Sequence, residues 1–272
     1  MQTKDYINTF KRGNVLGLCF LLLVLYSGFQ NIINYQHLIG NISYSWEIQE
    51  SRQTANEPLF LVTLVLSASL LLYAKSYWHK LLCVILIIFS GASLILTFSR
   101  GYWVAAIIAL IFLFLMINFQ KKIKMIFFFS IILFPFLCVA QFYLGELNVL
   151  FYEIFIERFM TLSNIFNDIS LVNRFNEAKK ILYLCFINPI IGYGLGGTYL
   201  FHDIILGTTV SAWYSHNAFL YILFKVGIFG LISFLIFYIN IIRKCYYNYS
   251  VIDDNNYYKP LIIGVICCLY SM

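Results

Sequence analysis

Apolar residues come in long unbroken runs separated by short polar breaks, at about 14–33, 58–74, 81–98, 102–118, 125–144 and 217–241. A helix rises ~1.5 Å per residue, so about 20 apolar residues cover the ~30 Å hydrocarbon core of a bilayer. Each run therefore predicts a membrane-spanning helix. Barrel strands would show alternation over ~10 residues, and these runs show none. A further run from Pro260 to Met272 is too short to cross, so it predicts a partial span, as in a chain cut short or an end packed on other helices. Two polar breaks are longer. Residues 34–57 form one, and residues 145–216 the other. The second contains LVNRFNEAKKILYLCF, with apolar residues at helical spacing. We read 171–187 as an amphipathic helix lying at the membrane surface, ended by Asn188-Pro189. The predicted fold is all-α: one polytopic helical membrane domain over 1–272, with a long outer loop carrying that helix.

Composition agrees with the pattern. The chain is 61% hydrophobic, 19% aromatic and 11% charged, with mean hydropathy +0.82, against roughly 25% charge in soluble domains. A water-soluble domain and a disordered chain are both excluded. The polar start, MQTKDYINTFKRG, leads into an apolar run too long for a signal-peptide core and without a small-residue cleavage site.

Charge adds orientation. Placing Lys4, Lys11 and Arg12 in the cytoplasm puts Lys75, Lys80, Lys121, Lys122, Lys124, Arg243, Lys244 and Lys259 on the same side by alternation. The cytoplasmic segments then carry net +8 and the outer segments −3, with Lys225 inside a helix. The same alternation puts 34–57 and 145–216 outside. Long loops in compact proteins are usually functional, so the chemistry is expected on the outer face.

Few residues there carry chemistry. Of the seven cysteines, only Cys185 faces outward, and Cys267-Cys268 lacks the second pair that a zinc site needs; no metal site is expected. GYGLGG at 192–197 matches G-x-G-x-x-G, but no strand precedes it and no βαβ unit surrounds it. A tight turn at Gly192 and Gly194, presenting backbone amides to an anion, or a plain flexible loop, fits better. His216 stands at the outer start of an apolar helix, where it could cap, snorkel or act as a base. Arg100 lies in TFSRGYW, between two apolar runs. An arginine there can snorkel to headgroups or, facing inward, fork onto a phosphate. Lys225 lies nine residues beyond His216, ~13 Å deeper along a helix. It needs a partner that the sequence does not identify.

Three segments in order, TFSRGYWVA (97–105), NRFNEAKKILYLCFINPIIGYGLGG (173–197) and SHNAFLYILFKVGIFGLISFL (215–235), resemble the O-antigen ligase and O-antigen polymerase superfamily of bacterial membrane glycosyltransferases. Its members share a Ser-Arg-Gly turn, a loop arginine ahead of Pro-x-x-Gly-x-Gly, and a His-Asn helix start followed by Gly-x-x-Gly. The resemblance covers roughly 50–240 as architecture. It implies a metal-independent enzyme of the bacterial inner membrane, without cofactor and with no nucleic-acid partner, working on the periplasmic face in surface polysaccharide (O-antigen, lipopolysaccharide) biosynthesis. The implied donor is an oligosaccharide on undecaprenyl diphosphate, and the acceptor a glycan or lipid A core. By motif position, Arg100 and Arg174 would hold the diphosphate, His216 would take the acceptor proton, and Arg52 would be a weaker counterpart of a further arginine. Relatives often carry an acid where this chain has Lys225, and they have more helices, which implies a truncated member. Ligase and polymerase differ in acceptor, and no residue separates them; lack of an acceptor-protein module leans toward polymerase. A polysaccharide transporter or flippase, or a non-catalytic assembly protein, remains the alternative.

Overall fold

The computed structural model describes residues 22–31, 33, 57–97, 99–144, 156, 169–204, 206–253 and 258–271. Arg52 lies outside the described residues. So do residues 14–21 of the first predicted span, the 34–56 break and most of 145–168. The elements are α1 (Glu57–Tyr73), α2 (Tyr77–Leu96), α3 (Arg100–Met116), α4 (Phe119–Leu144), α5 (Ile169–Ile187), β1 (Tyr199–Asp203), β2 (Thr208–Ala212), α6 (Ala218–Val251) and α7 (Tyr258–Ser271). The chain divides into two compact units, residues 1–156 with 245–272, and residues 157–244.

The first unit is helical and apolar. Its core brings Phe60, Val65 and Leu72 of α1 together with Ile87 of α2, Leu113 of α3 and Ile263 and Cys267 of α7. Close approach of α7 to α1 depends on Gly264, where an added Cβ would stand 2.7 Å from Leu66 Cδ2. Ser69 Oγ donates to the Pro260 carbonyl across the same pair at 2.7 Å. On α1 itself, buried hydroxyls turn back onto their own helix: Thr63 donates to the Leu59 carbonyl at 2.7 Å and Ser67 to the Thr63 carbonyl at 2.6 Å. Small residues and self-satisfied hydroxyls let helices pack closely where no water is at hand.

Three boundaries differ from the sequence reading by four residues or more. Helix α2 begins at Tyr77 rather than at residue 81, so Lys80 lies on its first turn rather than in a loop. Helix α4 begins at Phe119, so Lys121, Lys122 and Lys124 lie on its first turns rather than in a loop. The Asn118 carbonyl accepts from the Lys121 and Lys122 amides at 2.9 and 3.0 Å. Lysine stems reach water from a helix end, so charge there does not stop the helix. Helix α6 likewise continues past residue 241, through Arg243 and Lys244, to Val251. Two described helices, Tyr77–Ile95 and Ala218–Val251, are long and apolar enough to cross a membrane. Pro58–Tyr73, Arg100–Met116 and Tyr258–Leu269 are shorter apolar helices.

The second unit corrects the all-α expectation. Between α5 and α6 the chain forms an antiparallel hairpin, pairing Tyr199 with Ala212 and Asp203 with Thr208. The residues YLFHD and TTVSA are rich in aromatic and β-branched types, and Gly207 takes φ +64° in the connection. Two five-residue strands are too short to stand out in a 72-residue outer segment read for helices. The amphipathic helix is present as α5, starting two residues earlier than expected. Its buried face, Ile181 and Cys185, packs with Tyr199 and Phe224 in the core of this unit.

Candidate functional site

Helix α6 is broken at Gly227, in its first third, and the GYGLGG loop fills the break. Gly227 has φ +72° and ψ −170°, a region open only to glycine. In an unbroken helix the Ile228 amide would donate to the Phe224 carbonyl. Here it donates to the Pro189 carbonyl at 2.8 Å, while the Phe224 and Lys225 carbonyls accept from the Tyr193 and Gly194 amides at 2.8 and 2.9 Å. Three main-chain groups at the break are thus re-paired to the loop, as a buried backbone requires. Gly192 (φ +72°) and Gly194 (φ +78°) both take left-handed backbone in this loop. The amides of residues 193 and 194, however, go to helix carbonyls and not to an anion.

Lys225 has partners here. Its side chain is 2% exposed, and Nζ donates to the Leu195 carbonyl at 2.8 Å and the Gly197 carbonyl at 2.6 Å. A buried ammonium is tolerable when its protons meet such acceptors. Beside it, Phe224 stacks on Tyr193, with centroids 4.9 Å apart, and meets Tyr199 edge-on at 5.3 Å. Lys225 and Phe224 thus hold both the glycine loop and the start of β1.

Tyr199 leads to the ionisable cluster. Glu177, on α5 and 3% exposed, accepts a hydrogen bond from the Tyr199 hydroxyl on Oε1. Its Oε2 lies 2.8 Å from His216 Nδ1. The Tyr199 oxygen is also 2.7 Å from the Tyr214 carbonyl. Burial, then the hydrogen bond and charge of Glu177, raise the Tyr199 phenol well above its ordinary value, so it stays a proton donor. With Oε2 taking the Nδ1 proton, His216 Nε2 is the ring nitrogen left to accept. The His216 side chain is 47% exposed. Capping of α6 falls to Asn217, whose Oδ1 accepts from the Phe219 and Leu220 amides at 3.0 and 3.1 Å. His216 is therefore not the cap.

The second unit thus places His216 beside Glu177, with Arg174 one turn earlier on α5. Arg174 is exposed and makes no ion pair among the described residues. Arg100 belongs to the first unit and opens α3 behind Ser99. A cation at a helix start has the wrong sign for the macrodipole. Sequence reading missed Glu177 and Tyr199. The signal present was an acid at i+3 from Arg174 on an otherwise exposed helix. Its carboxylate meets Tyr199 of the hairpin and His216 ahead of α6, contacts that the sequence did not show.

A model of the O-antigen ligase family matches residues 84–235, which takes in α3, α5, the hairpin and the broken part of α6. Neither a curated protein nor a solved structure matches the chain. The match spans more than half of the sequence and all three segments around Arg100, Arg174 and His216. The chain belongs to the O-antigen ligase family.

Proposed function

We propose that this protein transfers a glycan from an undecaprenyl-diphosphate-linked donor to an acceptor hydroxyl, on the periplasmic face of a bacterial inner membrane. The observation that carries the reading is the His216–Glu177 pair: a half-exposed imidazole fixed by a buried carboxylate. In the proposed step Nε2 of His216 takes the acceptor hydroxyl proton. The acceptor oxygen then bonds to the anomeric carbon as the carbon–oxygen bond to diphosphate breaks. The diphosphate leaves with the bonding electrons. Imidazole suits proton uptake near neutral pH. Guanidinium forks at Arg174 and Arg100, with Arg52 as a further candidate, suit the charge growing on the leaving group. Because the donor arrives activated, a single displacement needs no covalent enzyme intermediate, metal or cofactor. The acceptor is a lipid A core or another glycan.

The proposed setting is a multi-pass bundle with its N-terminus in the cytoplasm, and α5 lying along the outer surface. The basic loops support that orientation. A transporter would also use a broken helix with a buried charge. Here Lys225 Nζ, the Phe224 and Lys225 carbonyls and the Ile228 amide all bond to the 189–197 loop rather than lining a path, which favours transfer.

Reconstituted protein given lipid-linked donor and acceptor tests the reading. His216→Ala should still bind donor but transfer at least about a hundredfold more slowly. His216→Asn should be equally poor, because an amide cannot take the proton. Near-normal transfer by His216→Asn would sink the assignment.

A further inference from the structure

The seam between α5 and β1 has a second polar site that the proposed chemistry does not use. The strand is pinned to the helix at both ends. Tyr199 bonds Glu177 at one end, and the Ile204 amide donates to Asn173 Oδ1 at 3.0 Å at the other. Between these ties lies a groove of about 430 Å³ lined by Asn176, Lys180, Leu200, Phe201, His202 and Thr209. That volume falls within the roughly 300–1,000 Å³ usual for small-ligand sites. Asn176 and Lys180 are i, i+4 neighbours on one face of α5. Leu200 and His202 share a face of β1, and Thr209 stands opposite His202 across the ladder.

The lining has a definite chemistry. It offers an ammonium, an imidazole, an amide and a hydroxyl, with Leu200 and Phe201 as apolar wall. Among the described residues, none of the four polar side chains spends its polar group on a hydrogen bond within the protein; the Lys180 ammonium only overlies the Tyr183 ring at 5.6 Å. No acid lines the groove. Glu177 is committed to Tyr199 and His216, and Asp203 Oδ1 accepts from the Leu206 amide at 3.2 Å. The groove is open, with Lys180, Leu200, His202 and Thr209 exposed; a strand tied to the helix on either side of it, unspent donors and a lining without an acid describe a place for an anion carried on a hydroxyl-rich, partly apolar body.

We propose that this groove is a subsite for an anionic sugar residue of the glycan. Lys180 and His202 hold the carboxylate or phosphate, Asn176 and Thr209 meet ring hydroxyls, and Phe201 takes a sugar face. The inference rests on the glycan-transfer reading and makes that reading more specific: the glycan handled carries acidic residues.

The test is binding, separate from turnover. Full-length protein in detergent is titrated with methyl β-glucuronide, glucose 6-phosphate and methyl β-glucoside, with contact read by saturation-transfer NMR. At least one acidic sugar should bind at least about tenfold tighter than the neutral one, and whichever is tighter distinguishes carboxylate from phosphate. Lys180→Met and His202→Gln should each remove most of that preference without changing the neutral sugar's binding. His216→Asn should leave the preference intact, so loss of transfer and loss of the subsite are read apart. Equal binding of all three sugars, or a preference that survives both groove substitutions, would overturn the proposal.

Discussion

Glu177 does two things with one carboxylate: Oε1 takes the Tyr199 hydroxyl and Oε2 faces His216 Nδ1. The second contact selects a tautomer, and this gives an expected outcome for Glu177→Gln. A glutamine amide can donate to Nδ1, moving the ring proton to Nε2 and removing the acceptor the proposed step requires. Transfer should fall by about a hundredfold or more, with the donor binding proposed for the arginines retained; an unchanged rate would show that Glu177 only packs. Tyr199 carries a pH consequence. Its phenol keeps its proton above the ordinary tyrosine value near 10. Above that pH the folded state binds more protons than the unfolded chain, and stability falls as pH rises. The melting temperature of the wild type in detergent should therefore decline from about pH 10 upward, more steeply than that of Tyr199→Phe. His216, Arg174 and Arg100 were legible as residues because their motifs are local in sequence. Glu177 was not, because burial of its carboxylate depends on a strand more than 20 residues away.

The interrupted α6 gives its glycines graded roles. A Cβ on Gly192 would stand 2.6 Å from the Phe224 carbonyl oxygen, and one on Gly227 would collide with the Ile190 carbonyl; both residues also have positive φ. Gly194 has φ +78° but open space around its Cβ position, and Gly196 has neither constraint. Alanine at Gly192 or Gly227 should cost more than the ~1–3 kcal/mol of backbone strain alone. At Gly194 it should cost about 1–2 kcal/mol, and at Gly196 within about 0.5 kcal/mol. Thermal melts of the four variants check the order. Sequence showed the apolar length of α6 and the turn-forming loop separately. It did not show that one fits into the other, because a helix break paired to a distant loop leaves no periodic trace. Only Lys225, a charge with no evident partner in the sequence, hinted that something lay against that helix.

At the scale of the whole molecule, the placement of basic residues makes a topology claim that reporters can read. Fusions after Lys122 and after Arg243 should report cytoplasmic, and fusions near Glu57 and Asp203 external; an external signal after Lys122 would overturn both the orientation and the outer-face site. The apolar runs announced most helices of the first unit, since lipid-length hydrophobicity is a strong signal over 17–20 residues. The second unit was less legible. Its architecture depends on a short hairpin and on polar pairings between α5, β1 and α6, each too small or too distant in sequence to leave a pattern.

The pairing of residues 189–197 with α6 also bears on how the chain is made. The loop is synthesised first, and the acceptors for its Tyr193 and Gly194 amides arrive only with Phe224 and Lys225, about 30 residues later. Until then the loop has no fixed shape to adopt. Once α6 is in place, neither segment can leave without stranding the other's backbone groups. The hairpin between them is thus enclosed by a late-closing lock, and a chain stalled before residue 224 should expose the loop to external protease while the released, full-length chain protects it.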